Sequence, residues 1–130
     1  MLKMYKVILT VVICSFCLFG CVKPETKNVT TKNPDAEEII RLDRHADIFK
    51  WKDIIYQTNI DWVNKLKLTK DKSVGEITAL VSKVSKESFK NGTANNLPIG
   101  AKIYTTKERE DILIVEFNGK ASYYLAVVEG

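Results

Sequence analysis

Ile112-Leu113-Ile114-Val115-Glu116-Phe117-Asn118-Gly119-Lys120-Ala121-Ser122-Tyr123-Tyr124-Leu125-Ala126-Val127-Val128 consists of two apolar, β-branched and aromatic runs joined by Asn-Gly. That dipeptide accepts the two positive φ angles of a type I′ turn, whose twist matches that of the flanking strands. With Asn118 and Gly119 as the loop, Phe117 stands opposite Lys120, and alternation sorts the side chains. One face carries Ile112, Ile114, Glu116, Ala121, Tyr123, Leu125 and Val127; the other carries Leu113, Val115, Phe117, Tyr124 and Val128. Both faces are apolar away from the turn, so the hairpin 112–117/120–128 is expected at the centre of a sheet and covered on both sides.

Working outward, Ala101 to Thr105 alternates as a strand, and the charged run Lys107 to Asp111 links it to the hairpin. Phe89 to Gly100 is rich in turn residues. Ala46 to Thr58 holds two β-branched and aromatic runs about Lys52-Asp53, a second hairpin. Glu37 to Leu42 fits a short helix or a first strand, and Asn59 to Leu68 a helical turn or an irregular strand. Local rules conflict over residues 73–85. Ser73-Val74-Gly75-Glu76 has the capping-box pattern, and Val74, Ile77, Leu80, Val81 and Val84 follow helical spacing. Gly75 and the β-branched residues favour instead a strand from Val74 to Leu80 followed by a polar loop. The fold class expected is α+β and β-rich. It is a small, mainly antiparallel sheet or partly open barrel with at most one or two short helices.

The amino end is of a different kind. Lys3 and Lys6 precede an uncharged run from Val7 to Phe19. As a helix that run reaches only about 20 Å, against a hydrocarbon core of about 30 Å. A basic start, a short apolar run and a small residue before a boundary are the layout of a secretory signal. Leu18-Phe19-Gly20-Cys21 then resembles the lipobox of bacterial lipoproteins, Phe19 being larger than the residue usual there. The resemblance implies cleavage after Gly20 and a diacylglyceryl group, with acyl chains such as palmitate, on the Cys21 thiol. Two chains anchor far more durably than one. The implied organisation is a signal peptide over 1–20, a lipidated Cys21 with a flexible tether over 21–35, and a single extracytoplasmic domain over 36–130. The implied location is the outer face of the cell membrane.

Composition agrees. Cys14 and Cys17 fall within the signal, and no cysteine follows Cys21, so the mature chain has no disulfide and depends on its core. Removal of the signal leaves about 110 residues, suited to one domain. The formal charge of +4 loses Lys3 and Lys6, too little remaining to argue for nucleic acid. Val22 to Asp35, with Pro24 and Pro34, is a coil reaching on the order of 20 Å.

A second resemblance rests on Ala46-Asp47-Ile48-Phe49, Asp61-Trp62-Val63, Val74-Gly75-Glu76-Ile77 and the block from Phe89 to Tyr104. These are similar to segments of small lipoproteins of Bacillus-like Gram-positive bacteria. The likeness implies a β-rich fold and a Gram-positive source, and carries no chemistry.

Catalytic signals are sparse. His45 is the only histidine, set between Asp43 and Asp47; zinc sites use three or four protein ligands, and neither Cys nor a second His is there to join it. No metal and no cofactor are expected. Gly-x-Ser-x-Gly and phosphate-loop patterns are absent from the sequence. Aromatic residues offer the better lead, since exposed rings bind sugars, peptides and proteins. Trp51, Tyr56, Trp62 and Tyr104 are the candidate surface, with Tyr123 and Tyr124 in the same set. The expected function is a non-enzymatic binding or interaction module engaging an envelope protein, peptide or polymer. The alternative is an envelope-directed hydrolase using His45 with Asp43 or Asp47.

Overall fold

A computed structural model describes residues 33–129. In chain order the elements are α1 (Ala36–Leu42), β1 (Ile48–Trp51), β2 (Ile54–Gln57), α2 (Asp61–Asn64), β3 (Lys70–Glu76), β4 (Ala79–Leu80), β5 (Thr93–Ala94), β6 (Lys102–Thr106), β7 (Ile112–Phe117) and β8 (Lys120–Ala126). The C-terminal hairpin forms in the expected register, from Phe117 opposite Lys120 to Ile112 opposite Leu125. Asn118 and Gly119 supply the positive φ angles of 52° and 76°. Ile112, Leu113, Ile114 and Val115 are all buried, so β7 is covered on both faces.

Among the described residues eight strands join one sheet in the order β3-β6-β7-β8-β2-β1-β5-β4, and only the β4–β5 pair is parallel. β3 and β4 stand at opposite edges, yet only Ile77 and Thr78 separate them in the chain. A flat sheet of this many strands would hold its edges about 34 Å apart. The three peptide links from Glu76 to Ala79 span at most about 11 Å. The sheet therefore curls into a half-barrel, stitched where Ile77 N donates to Ala101 O (2.8 Å) and Thr78 N to Gly92 O (2.9 Å).

That geometry decides residues 73–85 for the strand reading. Helical spacing is present there, but extended backbone lets Gly75 and Ile77 face inward together. Ile77 is fully buried. Gly75 lies under the Trp51 indole, where any Cβ would overlap the ring. α1 takes the helical option, its amino end capped by Asp35, whose Oδ1 accepts from Glu38 N at 2.9 Å. α2 is the single helical turn.

Inside the curl lies a core of Phe49, Tyr56, Ile103, Leu113, Val115 and Tyr124 with Ile77, Ala94, Leu97 and Ala101. Phe49 stacks on Tyr56 (5.4 Å, 15°) and meets Tyr124 edge-on (5.0 Å, 68°). A second cluster packs Ala36 and Ile39 of α1 with Ala46, Ile48, Ile55 and Phe89. Asn95 pins the segment that carries β5 to β1, accepting from Ile48 N (2.9 Å) and donating to Ala46 O (2.8 Å).

Because the Trp51 ring occupies the space of a Gly75 side chain, Gly75→Ala displaces it and costs about 1–3 kcal/mol, a melting point lower by several degrees. Thermal unfolding followed by tryptophan fluorescence checks this. An unchanged melting point and emission maximum would mean that Trp51 does not rest on Gly75.

Candidate functional site

Antiparallel parity fixes which way each backbone group of β8 points. Across a two-residue loop Phe117 and Lys120 exchange both hydrogen bonds, so Lys120, Ser122, Tyr124 and Ala126 turn their N–H and C=O groups toward β7. Ala126 N accordingly donates to Asp111 O at 2.8 Å. Ala121, Tyr123, Leu125 and Val127 point the other way, toward β2, where Val127 N donates to Ile55 O at 2.8 Å. But β2 pairs with β8 only at Tyr56↔Ala126 and Gln57↔Leu125.

Beyond that point β2 ends. The buried Thr58 closes one more contact, its hydroxyl donating to Tyr123 O at 2.7 Å while its N–H donates to Asp47 O at 3.2 Å. Asn59 then adopts φ 66° and turns the chain out of the sheet into α2, which packs against β8. Asparagine tolerates this left-handed conformation better than most residues. Among the described residues no strand stands beside Tyr123 N–H or the two backbone groups of Ala121.

The gap is a cleft of about 380 Å³ lined by Thr58, Asn59, Asn64, Ala121, Ser122 and Tyr123. Its lining is polar but holds no carboxylate, ammonium or guanidinium. Among the described residues the side-chain amides of Asn59 and Asn64, both exposed, have no hydrogen-bond partner. The Tyr123 phenol oxygen accepts from Leu68 N at 3.3 Å, which ties the ring to the segment following α2. Chemically the cleft offers amide and hydroxyl donors and acceptors and a strand edge; it has no group suited to acid–base work at neutral pH.

The four aromatic residues singled out by sequence do not share a patch. Tyr56 is corrected to a core residue, 7% exposed and stacked on Phe49; burial, then the charge of Asp111, pushes its phenol above the ordinary range. Trp51 is half-buried against Gly75 on the same inner face. Tyr104 lies on the opposite face from the core residue Ile103, with Lys70 Nζ 4.5 Å from its ring centroid and paired with Glu116 at 2.8 Å. Trp62, in α2, is 48% exposed and carries the Arg109 guanidinium 5.2 Å from its centroid. Arg109 in turn forks onto Asp111 at 2.8 and 2.7 Å. Tyr123 alone of the aromatic set lines the cleft.

His45 is exposed, and its backbone N–H donates to Asp43 Oδ1 at 3.0 Å. Asp47 is engaged elsewhere: its Oδ1 accepts from the Tyr124 hydroxyl at 2.8 Å and its Oδ2 from Asn96 Nδ2 at 2.9 Å. Among the described residues no carboxylate meets the imidazole, so His45 is paired with neither Asp43 nor Asp47, the partners of the alternative hydrolase reading. Nor, among the described residues, does any group of three or more His, Cys, Asp or Glu side chains stand ready to hold a metal ion. Gly20 and Cys21, the cleavage and lipidation positions, lie outside the described residues. Compared with protein families, curated proteins and solved structures, the chain matches none.

The Tyr124–Asp47 bond gives stability a pH dependence of definite sign. Burial foremost, then the Asp47 charge and hydrogen bond, raises the Tyr124 phenol far above its ordinary value of 10.0. The unfolded chain therefore loses this proton first as pH rises. The contribution is complete below about pH 10 and declines above it. Tyr124→Phe lowers the melting point by several degrees at neutral pH, about 1–2 kcal/mol for the orphaned Asp47 oxygen. Between about pH 9 and 11 the wild-type melting point falls more steeply than that of the variant; parallel slopes would contradict the assignment.

Proposed function

We propose that the chain is a bacterial lipoprotein of a Gram-positive cell, held by a diacylglyceryl group on Cys21 at the outer face of the cytoplasmic membrane, and that its domain is a non-enzymatic binding module. The lipobox-like Leu18-Phe19-Gly20-Cys21 supports the anchor. One acyl chain binds a bilayer marginally and reversibly, whereas two hold it.

The observation that carries the binding reading is the polar, uncharged cleft beside β8, lined by Thr58, Asn59, Asn64, Ala121, Ser122 and Tyr123. Asn33 Oδ1 accepts from Glu129 N at 3.3 Å, and Asn33, Pro34 and Asp35 lie beside Ile55 at the start of β2. Residues 33–35, the last of the tether segment, thus lie at the C-terminal end of β8. The Asn118-Gly119 turn is at the other end, about 20 Å away at 3.3 Å per residue. The cleft at Ala121 to Tyr123 belongs to that far half.

The anchor is tested by replacing the acylated sulfur. Cys21→Ser moves the protein from the membrane fraction to the medium or leaves an uncleaved precursor, read by fractionation and intact mass. Normal loss of residues 1–20 together with undiminished membrane retention would refute the lipid assignment.

A further inference from the structure

We propose that the open edge of β8 at Ala121–Tyr123 is a docking site for a short, extended, uncharged peptide segment of an envelope or secreted protein. The inference deepens the binding-module reading and rests on it. Its ground is the hydrogen-bond pattern of the cleft. Ala121 presents N–H and C=O in the same direction, the arrangement with which one residue of an added antiparallel strand exchanges two hydrogen bonds. Tyr123 N–H lies one repeat further along. A peptide backbone has groups of the same kind at the same spacing.

Length and chemistry of the occupant follow from the ends and walls of the gap. At one end the Thr58 hydroxyl already satisfies Tyr123 O, and beyond it β2 occupies the edge. At the other end the Asn118-Gly119 turn terminates the strand. Only a few residues of peptide fit along the edge. The side-chain amides of Asn59 and Asn64, which have no hydrogen-bond partner among the described residues, line the cleft and can meet further peptide groups. No ionised side chain lines the cleft, so a charged residue inserted there would lose hydration with nothing to replace it. The site therefore selects small, polar or apolar neutral side chains at the positions that enter it.

The test uses the full-length chain in detergent micelles against an array of end-blocked random octapeptides, with fluorescence polarisation on the peptides that bind. Bound peptides are expected to lack Lys, Arg, Asp and Glu at their central positions. N-methylation of one central amide weakens binding by about tenfold or more, while the same change on its neighbour has little effect, because alternate amides face the edge. Asn59→Gly keeps the positive φ and removes the amide; with Asn64→Ala it weakens binding several-fold at an unchanged melting point. The proposal is overturned if no peptide binds, or if affinity is indifferent to N-methylation. It is equally overturned if β-1,4-linked N-acetylhexosamine oligomers bind in place of peptides, or if the chain self-associates through an edge that Asn59→Gly disrupts. Crosslinking in native membranes separates this inference from the reading beneath it. A partner captured equally by wild type and the Asn59→Gly/Asn64→Ala double variant keeps the binding module and removes this site, and a partner captured by neither removes both.

Discussion

Two residues, Ile77 and Thr78, tie together the opposite edges of an eight-stranded sheet, and this short connection shapes everything around it. A sheet whose edges must meet cannot stay flat. Its curl separates an inside, filled by the Phe49–Tyr56–Tyr124 aromatic group, from an outside on which α1 and Phe89 cover β1 and β2. Curling also has a geometric consequence for pairing. Strands in a closing sheet tilt and stagger, so neighbours overlap over part of their length. The short overlap of β2 with β8, followed by the turn at Asn59, is where that stagger leaves a strand edge uncovered.

Much of the sheet was legible because its strongest signals are local. Asn118-Gly119 admits one turn type, that turn one register, and that register buries β7 on both sides. The first hairpin was legible for the same reason, although its turn at Lys52-Asp53 takes φ values of 49° and 65°, the first on a lysine that does not favour it. Help comes from a distance: Asn91 Oδ1 accepts from Asp53 N at 2.8 Å and Gly92 N donates to Lys50 O at 2.7 Å. Residues 73–85 were ambiguous because the spacing of Val74, Ile77, Leu80, Val81 and Val84 suits a helix as well as a bent strand. The deciding contact, Gly75 under Trp51, is tertiary and leaves no trace in neighbouring residues.

The candidate site was less legible. Tyr56 could have been placed in the core from the first hairpin itself, since a loop at Lys52-Asp53 aligns Phe49, Trp51, Ile54 and Tyr56 on one wholly apolar face. The cleft could not. Thr58, Asn59 and Asn64 read as ordinary polar loop residues, and only the depth to which β2 overlaps β8 turns them into walls. Asp43-Arg44-His45-Ala46-Asp47 shows the opposite failure. Its close spacing suggested an acid–base unit, but one carboxylate serves a backbone N–H and the other holds Tyr124 and Asn96.

In its first half β8 alternates between amides paired with β7 and open amides. Residue-resolved amide hydrogen exchange on the native protein measures this directly. Ser122 and Tyr124, bonded to β7, should exchange slowly, near the rate of global unfolding, while Ala121 and Tyr123 exchange orders of magnitude faster. Equal and strong protection of all four would contradict the open edge and, with it, the binding site built upon it.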